Sequence, residues 1–147
     1  RLLMIKVYTD GACKGNPGDG GWGALIINGS ENKELYGGEK NTTNNRMELM
    51  AVIMAIESID RIQDVTIFTD STYVQKGISE WIINWKRNGW KSSNKQPVKN
   101  QDLWVRLDSL NSEQITWQWV KGHSGHIEND RADYLANLGV HSSSQQS

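Results

Sequence analysis

The chain predicts an α/β fold, a five-stranded mixed sheet flanked by helices in the order βββαβ, helices, β, α. Three observations predict it. Runs of strand length and composition (IKVYT, WGALII, ELYGG) follow one another with only turn-forming residues between them, the pattern of an antiparallel meander. A Met/Ala/Ile-rich helical segment then leads to a β-branched run, VTIFT, and a strand reached through a helix lies parallel to the first. Further apolar residues recur at helical spacing around one more alternating run, ITWQWV. No repeat or composition break divides the chain, so residues 1–141 are expected as a single domain. The polar tail, 142–147, has nothing to bury and is expected to be disordered.

Each element has a local reason. Residues 2–9 place Ile5 and Val7 on one face and Met4, Lys6 and Tyr8 on the other, which makes the first strand. Residues 11–21 are dense in glycine and read as a turn before the second strand, WGALII. A polar turn over 28–33 precedes the short third strand, ELYGG. The first helix covers 43–59, with Thr42 or Thr43 as its cap, because a threonine hydroxyl accepts from free N–H groups of a first turn. The fourth strand is 65–69. Over 71–85, Val74, Ile78, Trp81, Ile82 and Trp85 recur at helical spacing, with Gly77 a mild weakness. KRNGWKSSNKQPVKN is polar, basic and broken by Gly89 and Pro97, hence a protruding loop. A helix over 102–110 aligns Leu103, Leu107 and Leu110, and 115–120 alternate as the fifth strand. KGHSGHIEN forms a loop, and the last helix covers 130–138, ending at Gly139.

Composition excludes several classes. The single cysteine, Cys13, permits no internal disulfide, so a reducing, cytoplasmic setting is expected. The opening LLMI is too short for a membrane span or a signal-peptide core, and a monomer free of membrane contact is the default. A net charge of −1 argues against a generic polyanion binder, yet the charge is unevenly spread. Between 76 and 106, Lys76, Lys86, Arg87, Lys91, Lys95, Lys99 and Arg106 outnumber Glu80 and Asp102 by five, and the remainder is acidic. A basic lobe beside an acidic pocket suits a polyanion held by one part and cut by another. The plainer alternative is a solvated helix face.

Four carboxylates carry the functional argument. Asp10 and Asp70 end β-branched runs (TDG, TDS), Glu48 sits within MELMAVIMAI, and Asp133 lies on the short last helix. Singly, each aspartate is explained by turn or cap formation, and Glu48 by the helix dipole. Together they form a coincidence, because parallel neighbouring strands bring their carboxyl ends side by side. Unpaired buried charge is costly, and two divalent cations would neutralise the four. Gly18, Gly20 and Gly23 match G-x-G-x-x-G, but a strand follows where a dinucleotide site needs a helix. His123 and His126, in KGHSGH, lack a zinc-binding context; His123 suits proton transfer, while His126 reads as a surface histidine. Most of the tryptophans, Trp81, Trp85, Trp90 and Trp104 among them, are expected to pack in the core.

The motifs YTDGACKGNPGDGGWG, TTNNRMELMA, TDSTYV, PVKNQDLW, WVKGHSGHIEND and RADYLA, in this order, resemble the ribonuclease H family, in its bacterial and eukaryotic type with a basic protrusion. The resemblance implies a ribonuclease H-like fold and an endonuclease that hydrolyses the RNA strand of an RNA–DNA hybrid. It implies Asp10, Glu48, Asp70 and Asp133 as ligands of two Mg²⁺ ions, with Mn²⁺ able to substitute, and His123 as an aid to proton transfer or product departure. Gly11, Cys13, Asn16 and Asn44 or Asn45 would then read the RNA strand. Thr43 and Asn100 would hold a phosphate of the DNA strand, with Trp81, Trp85, Lys86, Arg87 and Lys91 along the groove. Two positions depart from the family pattern, Asn41 where arginine is common and Thr72 where glutamine is common. The competing expectations are a non-catalytic hybrid-binding module and another phosphoryl-transfer enzyme of similar fold, such as an integrase.

Overall fold

A computed structural model describes residues 4–59, 63–91, 95–120 and 127–144. Strands β1 (Ile5–Gly15), β2 (Gly18–Asn28) and β3 (Glu31–Thr42) form an antiparallel meander. Helix α1 (Asn44–Glu57) leads to β4 (Val65–Thr69), which pairs parallel with β1. Then come α2 (Thr72–Lys76), a π-helical turn (Gly77–Trp81), α3 (Ile82–Arg87), α4 (Gln101–Leu110), β5 (Ile115–Trp119) and α5 (Ile127–Ser144). The sheet order is β3-β2-β1-β4-β5, so the expected five-stranded mixed sheet is present with β1 at its centre.

Alternation along β1 sorts the two cores. Ile5 and Val7 enter the main one, against Leu49, Val52, Ile53 and Ile56 of α1 and Leu103, Trp104 and Leu107 of α4. Tyr8 points the other way and stacks on Phe68, with Leu25 and Ala132 of α5 beside it. Burial of α1 on most sides accounts for its Met/Ala/Ile filling. Its N-terminus is capped by Thr43, whose hydroxyl accepts from the Arg46 N–H at 3.2 Å. The tryptophans do pack together: Trp104 is fully buried, and Trp85 touches the rings of Trp81, Trp90 and Trp104.

Several local expectations are corrected. The glycine stretch is not an eleven-residue turn. It is the paired ends of β1 and β2, with Cys13 opposite Gly20 and Gly15 opposite Gly18. Glycine serves the packing here: a Cβ on Gly21 would meet the Ala136 carbonyl oxygen at 2.2 Å, so α5 lies directly on the sheet backbone. The helix over 71–85 is interrupted by its π turn. The last helix begins at Ile127, not 130, and passes through Gly139, which lies against the Gly37 carbonyl where a Cβ would reach 2.0 Å. Residues 142–144, expected as tail, are its last turn, and Ser143 is fully buried. No helix among the described residues is long and apolar enough to cross a membrane.

Candidate active site

The parallel register Tyr8↔Phe68 sets Asp10 and Asp70 level with each other, two residues beyond the last pairing of β1 with β4. There the strands part, and β1 continues with β2 alone, opposing Asp10 to Gly23. Helix α1 crosses β1 at Gly11. A Cβ at that residue would lie 2.6 Å from the Glu48 backbone nitrogen, so glycine is what lets Glu48 settle beside Asp10. One oxygen from each of Asp10, Glu48 and Asp70 lies within 4.8 Å of the others. Asp133, exposed on α5, comes within hydrogen-bonding reach of Asp10. The fold thus brings together all four carboxylates singled out in the sequence.

The electrostatics are those of crowded acids. Burial, the Asp70 charge and the Asp133 hydrogen bond push the Asp10 carboxyl up to about 8, against a smaller lowering from the Gly11 N–H, which donates to Asp10 Oδ1 at 2.9 Å. Burial raises Glu48 well above the usual carboxylate range, with the Asp10 and Asp70 charges adding to it. Glu48 is 5% exposed, and its Oε1 has no hydrogen-bond partner among the described residues. A buried carboxylate with one orphaned oxygen, beside two other carboxylates, fits a divalent cation, which would relieve both the missing partner and the repulsion. The donors are hard oxygens, suited to Mg²⁺ or Mn²⁺.

The residues expected around this cluster divide into groups. Gly11 contributes through the close crossing just described. The Cys13 thiol donates to the Thr42 carbonyl at 3.4 Å and the Gly18 carbonyl at 3.6 Å, and burial raises it. Asn16 Oδ1 accepts from the Asn44 N–H at 3.3 Å, tying the hairpin tip to α1. Asn44 and Asn45 are exposed, and Thr43 is partly so. Trp81 and Trp85 are half-buried among aromatic rings, and Arg87 and Lys91 are exposed. Lys86 pairs with Asp108 at 3.3 Å and Arg106 with Glu57, so part of the basic excess is already matched within the fold. His123 and His126 lie outside the described residues. Asn41 adopts a left-handed conformation (φ 52°), which asparagine tolerates better than arginine.

Sequence inspection missed a polar network beside the carboxylates. Arg46 donates to Glu39 at 3.2 Å, to both oxygens of Asp102 at 3.0 and 2.6 Å, and to Asn100 Oδ1 at 3.4 Å. Asn100 Nδ2 and Trp104 Nε1 both donate to the Tyr73 hydroxyl, at 3.1 and 3.0 Å. These partners are far apart in the chain, so no local pattern announces them; only the position of Arg46, two before Glu48, was available as a signal.

A mixed sheet whose central parallel strands deliver two aspartates onto a helix-borne glutamate is a scaffold able to hold a divalent cation at the end of its strands. The RNase H family model matches residues 4–141. The chain is 62% identical over 140 residues to the ribonuclease H of Cupriavidus metallidurans, covering 95% of this chain and 97% of that one. With the ribonuclease H of Thiobacillus denitrificans it shares 59% over 138 residues, 93% of each. Among solved structures it is similar to LC9-RNase H1, a type 1 RNase H with the type 2 active-site motif, at a TM-score of 0.84 and 29% identity over 96% of this chain and 74% of that one. The chain belongs to the ribonuclease H family and is an enzyme of that kind.

Proposed function

We propose that this enzyme is an endonuclease that hydrolyses the RNA strand of an RNA–DNA hybrid, with two Mg²⁺ ions held by Asp10, Glu48, Asp70 and Asp133, leaving 5′-phosphate and 3′-hydroxyl ends. The observation that carries it is the meeting of one oxygen each from Asp10, Glu48 and Asp70 within 4.8 Å, with Glu48 buried and one of its oxygens orphaned. When bound, such a pair of ions activates water and stabilises the charge on the departing 3′ oxygen. Mn²⁺ has the same preference for hard oxygens and substitutes.

The chain's own residues do the rest. Asp10 and Asp70, on adjacent strands, and Glu48, on the helix behind them, fix the positions where phosphate charge is tolerated. Asp133 closes the set from α5, on a helix face open to solvent. His123 aids proton transfer or product departure, a role supported by its place in the KGHSGH motif. Gly11, Cys13, Asn16, Asn44 and Asn45 line the hairpin and the start of α1, where 2′-hydroxyl groups of RNA are read. Thr43 and Asn100 hold a phosphate of the DNA strand, and Trp81, Trp85, Lys86, Arg87 and Lys91 follow its backbone. Contacts of this kind bind with little base preference and weaken steeply with salt. We place the enzyme in the cytoplasm as a monomer, a reducing setting in which a free cysteine such as Cys13 stays a thiol.

A labelled hybrid, double-stranded RNA and double-stranded DNA, each incubated with Mg²⁺ and with a chelator, form the test. Cleavage is expected in the RNA strand of the hybrid alone, and only with the metal. Asp10→Asn is expected to abolish cleavage while hybrid binding survives. Unimpaired cleavage by that variant would overturn the metal assignment.

A further inference from the structure

Both groups assigned to the DNA phosphate are hydrogen-bonded to one partly buried residue. The Arg46 backbone N–H donates to the Thr43 hydroxyl at 3.2 Å, and its guanidinium donates to Asn100 Oδ1 at 3.4 Å. The same guanidinium is braced by a two-pronged contact to Asp102 and a further one to Glu39 of β3. Arg46 has donors only, so the Asn100 amide must present its oxygen to it and turn its nitrogen the other way. There Nδ2 spends one hydrogen on the Tyr73 hydroxyl. The second amide hydrogen is uncommitted among the described residues. Asn100 itself stands in the left-handed conformation (φ 60°, ψ 31°) at the start of α4, and its side chain makes no cap for that helix. A residue held at both ends of its amide, at a helix start it does not cap, is oriented for something outside the fold.

We infer that Arg46 is a positioning residue for the hybrid: its guanidinium locks the Asn100 amide beside the α1 cap residue Thr43, which is itself held through the position-46 backbone N–H, and so fixes the phosphate clamp to α1, which carries Glu48 two residues later. The distance between the held DNA phosphate and the cutting site is then set by a single rigid helix start. Lysine cannot replace it fully, because one ammonium cannot fork onto Asp102 and reach Asn100 and Glu39 together. This rests on the proposed placement of Thr43 and Asn100 against DNA.

A double-mutant cycle on the full chain tests it, with steady-state cleavage of a labelled hybrid at moderate salt and Mg²⁺. Asn100→Ala and Arg46→Met are each expected to raise KM about tenfold, equivalent to about 1.4 kcal/mol, with kcat changed less than about twofold. The double variant is expected to be no worse than either single one, because Arg46 acts through Asn100. Arg46→Lys is expected to recover part of the loss, and should Arg46→Met fail to fold by circular dichroism, Arg46→Lys completes the same cycle. Multiplicative effects in the double variant, or a loss confined to kcat, would overturn the positioning role. An unchanged KM in Asn100→Ala alone would instead remove the phosphate contact on which it rests, so the two failures are told apart.

Discussion

Asp10→Asn replaces a crowded carboxylate with a neutral amide of nearly the same shape, and its effect on stability follows from the site's electrostatics. In the metal-free protein, burial, the Asp70 charge and the Asp133 hydrogen bond move the Asp10 carboxyl from 3.8 to about 8. Between those values the folded state holds a proton that the unfolded chain has released, so stability falls as pH rises. Below the lower value the contribution is fully present; above the higher it is lost. At about 1.4 kcal/mol per tenfold change in proton affinity, the whole span corresponds to about 6 kcal/mol. The repulsion is shared among neighbouring carboxylates and relieved by water and counter-ions, which leaves about 1–3 kcal/mol for one substitution to recover. For a chain of this size that is a rise in Tm of about 3–10 °C. The assay is thermal unfolding of wild type and variant in chelator, at about pH 5 and about pH 9. The variant is expected to be the more stable at the higher pH, with the gap nearly closed at the lower, where Asp10 is already neutral. A variant no more stable than wild type at the higher pH, or offset equally at both, would refute the buried-repulsion argument.

Other outcomes follow from the same structure. Adding Mg²⁺ or Mn²⁺ to chelator-treated protein at about pH 8 is expected to raise its Tm, by about 2.7 kcal/mol of stability at a hundredfold excess over Kd. Glu48→Gln should lose most of that gain in a calorimetric titration; an undiminished gain would place the metal elsewhere. Gly77→Ala is expected to destabilise the fold by about 1–3 kcal/mol in urea unfolding, because the new Cβ would lie 2.0 Å from the Trp104 ring. A neutral result would show that the ring can move away. Neutralising Lys86, Arg87 and Lys91 together is expected to raise KM and flatten its salt dependence with little change in kcat, and the effect of Lys86 should be the smallest because Asp108 already pairs with it. A large loss of turnover at saturating hybrid would contradict that division of labour.

Much of this protein was determined by local sequence. Alternation over Ile5–Tyr8 chose the two faces of β1, the β-branched VTIFT run gave β4 its length, and the threonine pair Thr42 and Thr43 marked the start of α1, with the structure choosing Thr43. Such signals are short-ranged, because backbone periodicity and capping depend on residues within a turn of one another. The acidic set was also visible, since carboxylates placed among apolar residues stand out wherever they later meet. What tertiary structure alone decided were the close approaches. Glycines 11–21 look like a turn until α5 and α1 are laid on the strands, where the lack of a Cβ becomes a packing requirement. Gly139 looks like a helix end until it is found against the Gly37 carbonyl, with the helix running on to bury Ser143. The Arg46 network joins residues more than fifty positions apart and leaves no periodic trace in the chain. Proximity of that kind is produced by the sheet order and by helices seated on it, and no window of neighbouring residues contains it.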